Sequence, residues 1–194
     1  DDPDYRAYLM DGLRPATWYT ERPGRWIAEK RGASSHLPVQ TLHLGTDGTL
    51  DDAPQAMTAQ VASPAHCGAA AGEYCAIWLG PEMPGDQRGD DALSTTFTSA
   101  PLGADMDLVG APRLTLTLAC DKPQGQIAVR LNHVHPDGAA SRITYGVLNL
   151  SRRNGPATPK GMTPDVAEEI TLDLDHIAYR IPKIDMKSVD GYFM

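Results

Sequence analysis

From Arg113 to Leu118 the chain alternates strictly between polar and apolar residues: Arg113, Thr115 and Thr117 against Leu114, Leu116 and Leu118. A period of two places the three leucines on one side of an extended backbone, as in a half-buried β-strand. The pattern returns at Ile127, Val129 and Leu131 after a Pro-Gly break, and at Ile143, Tyr145 and Val147 after His135-Pro136-Asp137-Gly138. Three such runs joined by turns predict an antiparallel meander. Further strands are expected at 41–44, 59–62, 74–79, 93–98, 170–174 and 178–181. No stretch carries the periodicity of a long helix. With 16 prolines and 18 glycines as punctuation, the chain reads as an all-β protein, an antiparallel β-sandwich with long loops and a jelly roll as the leading topology.

Charge narrows the function classes. The 194 residues carry a net charge of -8 and no basic stripe, Arg152-Arg153 being the densest cationic pair. Nucleic acid is therefore not expected as a partner. No window approaches the roughly 18 apolar residues of a membrane span, so no membrane is expected either. The acidic first residues lack a signal peptide's basic-then-apolar layout. The compartment is left open, with the cytoplasm slightly favoured. Cys67, Cys75 and Cys120 form neither a zinc pattern nor a disulfide framework. They read as free thiols, although a Cys67–Cys75 bridge would close only a small loop.

Four constellations could carry chemistry. His133 and His135 share a strand face at metal-ligand spacing, with Asp137 nearby, but no third ligand is evident and Pro136 and Gly138 make a good type I turn. The hairpin is the preferred reading. Asp86, Asp90 and Asp91 could form a calcium loop, but they match no EF-hand spacing and read as a solvated acidic loop. Within it, Arg88-Gly89-Asp90 is too short a tripeptide to weigh. No G-x-S-x-G nucleophile elbow occurs, Gly32 to His36 being the nearest approach. Trp18, Trp26 and Trp78 could form a sugar-binding platform, but large aromatics more often fill cores or domain contacts. Asn149-Leu150-Ser151 is a formal glycosylation sequon without a secretory context.

Five stretches together resemble a known family: Arg22 to Trp26; Asp91 to Ser94 running on to Pro101-Leu102; Val109 to Leu114; Val129 to Leu131 with Val134 to Gly138; and Ile143 to Arg153. As a set they look like the C-terminal β-domain of the cocaine esterase / X-prolyl dipeptidyl-peptidase (CocE/NonD) serine hydrolases. The resemblance implies a galactose-binding-like jelly roll that follows an α/β-hydrolase domain holding the Ser-His-Asp triad. It implies no catalytic, cofactor-binding or metal-binding residue in this chain. The partner it implies is the preceding hydrolase domain of the same polypeptide, and self-association is left open. On that basis residues 1–38 are expected to be a connector, 39–183 the sandwich, and 184–194 an atypical or truncated tail. Two departures stand out. Lys30-Arg31 stand where the family tends to show Trp-Pro, and Ile184-Asp185-Met186 where Gly-His-Arg is expected. The expected function is a non-catalytic domain bracing an ester or Xaa-Pro hydrolase. The alternative is a free-standing carbohydrate- or ligand-binding module.

Overall fold

A computed structural model describes residues 3–29, 38–73, 77 and 80–193. In chain order the strands are Tyr5–Asp11 (β1), Gly24–Glu29 (β2), His43–Leu44 (β3), Leu50–Asp51 (β4), Thr95–Thr98 (β5) and Met106–Gly110 (β6). They continue with Arg113–Leu118 (β7), Gln126–Val134 (β8), Ala140–Asn149 (β9), Glu168–Asp173 (β10), Ile177–Ile181 (β11) and Met186–Phe193 (β12). The α-helix among the described residues is the single turn Arg88–Asp91 (α1), too short to cross a membrane. The all-β, antiparallel sandwich expectation holds.

One layer is the sheet β5-β12-β8-β9; the facing layer combines β2-β1-β11-β6 with the pair β10-β7. Between them Ile127, Val129 and Leu131 of β8 meet Ile170 and Leu172 of β10, with Leu114, Leu116 and Leu118 of β7 packed alongside. A second cluster of Ile177, Tyr179 and Ile181 adjoins Met10 and Leu102. Leu108 and Ile143 touch both clusters, so the core is continuous.

The alternation in β7 is realised as expected. Its threonines and Arg113 face solvent, where Thr115 meets Thr171 at 3.2 Å and Arg113 pairs with Asp173 at 2.5 Å. The meander is not. β7 pairs with β10, Leu116 opposite Ile170, whereas β8 pairs with β9 and β12. Periodicity reports which face of a strand is buried but not which strand lies beside it.

The third alternating run also needs correction. A bulge opposite Leu131 and Asn132 skips Ile143 and reverses the parity of β9. Ile143 therefore turns into the core, while Val147 points out, 51% exposed. No strand forms at 59–62. The expected strand at 74–79 has five of its six residues, Cys75 and Trp78 included, outside the described set, as does the stretch from Gly32 to His36.

The two terminal segments are more regular than the sequence suggests. Residues in the supposed connector form β1 and β2, and β1 joins β11 in parallel, placing Leu9 at 1% exposure. At the other end, β12 lies inside its sheet between β5 and β8. It has paired strands on both sides rather than leaving the sandwich edge open.

The entry to β12 carries a local strain. Ile184 sits at φ 73, 59% exposed, where the resemblance expects glycine. A β-branched residue is a true outlier there, at a cost of about 1–3 kcal/mol. Glycine relieves the clash but loses more backbone entropy on folding. Ile184→Gly is expected to stabilise the protein by about 1 kcal/mol, raising Tm by about 2–4 °C. A lower Tm for the glycine variant in thermal melts would show that the strain is absent.

Candidate functional site

β8 is buried on both faces, although its sequence alternates like a half-buried strand. The core face carries Val129 and Leu131 and, further on, His133. The opposite face carries Arg130 and Asn132, covered by the 80–94 segment. Each face holds a buried polar cluster.

The first cluster centres on Arg130, 3% exposed. Its guanidinium reaches Asp91 Oδ1 at 2.9 Å, Ser94 Oγ at 3.1 Å, Gln87 Oε1 at 3.3 Å and Asp90 Oδ2 at 3.4 Å. Asn132 Nδ2 donates to Asp190 Oδ2 at 2.5 Å and to Asp91 Oδ1 at 3.3 Å. The solvated acidic loop is thus overturned for Asp90 and Asp91: they fold down over β8 because a buried guanidinium needs carboxylate partners. Asp86 instead pairs with Arg88 at 2.6 Å. With Asp90 only 4% exposed, the Arg-Gly-Asp tripeptide is not presented to a partner.

Burial, reinforced by the charges of Asp190 and Asp90, pushes the Asp91 carboxyl up to about 7 against the opposing pull of Arg130. Burial also raises Asp190. An acid raised by folding holds its proton longer in the folded state, so stability is fully present below the ordinary 3.8 and is lost as pH rises through about 7. His133 and His135 act in the opposite sense. Burial lowers both below 6.5, so their contribution is fully present above 6.5 and is lost as pH falls below it through their depressed folded values. Between 3.8 and 6.5 the acids and the histidines oppose each other; above 6.5 the acids alone act, and Asp91 should lower stability by about 1 kcal/mol from pH 6.5 to pH 8. Asp91→Asn should flatten the alkaline limb in urea titrations. An unchanged alkaline loss in that variant would assign the titration to another group.

The second cluster joins His133, His135 and Asp185. His133 is fully buried and the other two are each 6% exposed. Asp185 Oδ2 lies 2.5 Å from His133 Nε2 and 3.4 Å from His135 Nδ1. The Tyr179 hydroxyl meets His133 Nδ1 at 3.0 Å. His135 Nε2 faces the Leu13 carbonyl at 3.2 Å and Ser141 Oγ at 3.1 Å, while Ser141 donates to that carbonyl at 2.7 Å. The two imidazole rings are 3.9 Å apart. The packing is close: a Cβ on Gly12 would come within 2.7 Å of the His133 ring.

The expected turn forms as well, with Gly138 N–H donating to the His135 carbonyl at 2.8 Å and Gly138 at φ 83. The hairpin-only reading is nevertheless incomplete. The third member is Asp185, from the segment set apart as a tail, whereas Asp137 faces outward to pair with Arg14. The visible signal was the departure from Gly-His-Arg, which puts a carboxylate where a histidine is expected.

Ser141, His135 and Asp185 have the connectivity of a Ser-His-Asp triad. Their setting differs from that of a working nucleophile. The Ser141 hydroxyl donates to Leu13 O, and all three residues are 6% exposed. Nucleophilic attack needs room for a reacting carbon about 3 Å from the oxygen. The arrangement instead ties β8, β9, the segment after β1 and the entry to β12 together.

The remaining candidates disperse. Cys67 is buried and free, with Ser94 Oγ at 3.5 Å, and Cys120 is a half-buried free thiol. Asn149 Oδ1 accepts from Ser151 N–H at 3.0 Å, capping the turn that follows β9. Trp18 and Trp26 do not fill the core: they are 50% and 73% exposed. Tyr8 lies opposite Trp26 across β1 and β2, the rings meeting edge to face at 5.6 Å.

Residues 1–183 match the family model of the X-Pro dipeptidyl-peptidase C-terminal non-catalytic domain. The chain belongs to this family. The domain's β12 lies beyond the matched residues. No curated protein sequence matches the chain. Solved structures share its fold. An α-amino acid ester hydrolase superposes with a TM-score of 0.64 at 18% identity, over 79% of this chain and 28% of that one. A CocE/NonD family hydrolase from Staphylococcus aureus gives 0.64 at 15% identity, over 98% of this chain and 33% of its own. An aminopeptidase from the marine sediment archaeon Thaumarchaeota archaeon gives 0.61 at 18% identity, over 78% and 28%. The domain therefore spans about a third or less of these chains.

Proposed function

We propose that this domain braces an α/β-hydrolase domain of the same polypeptide and walls part of its cleft, the whole protein hydrolysing esters or amides after proline. The chemistry would be acyl transfer through a histidine-activated serine and an oxyanion hole, all supplied by the hydrolase domain. Membership of a non-catalytic domain family of this hydrolase type supports the reading and disfavours a free-standing sugar-binding module.

The observation that carries the docking role is the aromatic surface at the β2 edge of the sheet β2-β1-β11-β6. Trp26, Tyr8 and Trp18 stand exposed on and beside β1 and β2, within the first 29 residues. Burying most of one tryptophan is worth about 3 kcal/mol, enough to anchor a domain contact.

Two measurements test this. The purified chain should turn over neither p-nitrophenyl esters nor a proline-amide chromogen; activity that stays with the chain through purification would overturn the non-catalytic role. The chain should also bind the polypeptide encoded immediately upstream in its reading frame. Trp26→Glu should weaken that binding while leaving the fold intact. Undiminished binding by the variant would place the contact elsewhere.

A further inference from the structure

We infer that His133, His135 and Asp185 form a binding site for one borderline divalent transition ion of the zinc type, clamping the entry of β12 onto β8. His133 Nε2, His135 Nδ1 and an Asp185 carboxylate oxygen lie within 4.8 Å of one another, all buried. Two imidazole nitrogens and one carboxylate oxygen are a donor set that suits such an ion.

The hydrogen bonding around the triplet points to a ligand set. The far nitrogen of each ring has its own partner: His133 Nδ1 has the Tyr179 hydroxyl, and His135 Nε2 has the Leu13 carbonyl beside Ser141. Such outer partners fix the tautomer of metal-bound histidines and aim the other nitrogen inward. Ser141 already gives its proton to Leu13 O, so the protonated nitrogen of a neutral His135 is Nε2. Its bare Nδ1 then faces the bare Asp185 Oδ2 at 3.4 Å. Two lone pairs oppose each other there, an arrangement a cation relieves. The neighbouring Arg14 guanidinium is drawn outward by Asp137.

On binding, the ion replaces the proton between His133 Nε2 and Asp185. A neutral His133 carries a single proton, which passes from Nε2 to Nδ1 and is donated there to the Tyr179 oxygen, so no net proton is released. Nothing is oxidised or reduced. The domain's docking role neither requires nor excludes this site.

The test uses the chelator-treated full chain and zinc chloride. The expected result is uptake of one zinc per chain, with Tm rising as free zinc rises. His135→Gln and Asp185→Asn should each weaken zinc binding by about tenfold or more. Uptake of equal affinity in both variants would overturn the site, as would no stoichiometric uptake by wild type. If the variants fail to fold, imidazole nitrogen NMR of the wild type decides. Zinc should move the ring signals of His133 and His135. Shifts confined to the other four histidines, His36, His43, His66 and His176, would overturn the assignment.

Discussion

Arg130→Met is expected to destabilise the domain by about 3–5 kcal/mol, enough to unfold a marginal domain of this size. Methionine keeps much of the apolar stem of the arginine but removes the cation that, among the described residues, reaches Asp90 and Asp91. Asp190 lies in the same buried cluster, at 0% exposure. Asp90, Asp190 and the half-buried Asp91 would then lose their counter-charge among the described residues. They can escape by taking up protons, so the loss should be smaller near pH 5 than near pH 8. Chemical denaturation at both pH values checks the magnitude and the trend together. A variant within about 1 kcal/mol of wild type at pH 8 would mean that the cluster is far wetter than its burial indicates. Adding Asp91→Asn should recover part of the loss, because the two residues touch and their effects should not add.

Leu116→Asp is the second large effect. Leu116 lies opposite Ile170, which is 3% exposed, and packs on the core cluster beneath β8. The change forfeits about 1.5–3 kcal/mol of apolar burial and sets a carboxylate against hydrocarbon. The cooperative transition should be lost or displaced by more than about 3 kcal/mol. Thr117→Lys is the control, one residue away on the solvent face and opposite Glu169. It should leave stability within about 0.5 kcal/mol of wild type, since opposite charges across a pair are tolerated or mildly favourable. Equal melting of the two variants, measured by circular dichroism, would reverse the assigned faces.

The face of β7 was legible because alternation is a local property of six consecutive residues. Its neighbour was not, because β7 and β10 are joined only by tertiary pairing across about fifty residues of chain. The same limit hid β1 and β2. Their aromatic and charged residues carry no clean period, since Trp26 and Tyr8 face outward while Leu9 is buried. In β9 a single bulged residue reversed the inward and outward assignment, and Ile143 entered the core by that shift alone.

The polar clusters divide in a similar way. Arg130 and Asn132 look like solvent-face residues because they alternate with Val129 and Leu131. What buries them is a segment some forty residues earlier, and the ion pair forms only once that segment folds over β8. For the histidines, the shared strand face and the turn were readable. Asp185, separated from His133 by 52 positions, was visible only as a mismatch with the expected Gly-His-Arg.

The sequence alone thus carried the strand character, the Pro-Gly and His135–Gly138 turns, the family resemblance and the negative net charge. These follow from neighbouring residues and short-range backbone chemistry. Tertiary contacts settled which strands pair, that β12 lies inside its sheet, and that Asp90 and Asp185 are buried and Asp91 half-buried against a guanidinium or imidazoles. Those outcomes depend on contacts between residues far apart in the chain, where burial makes each polar group seek the partner that compensates its lost water.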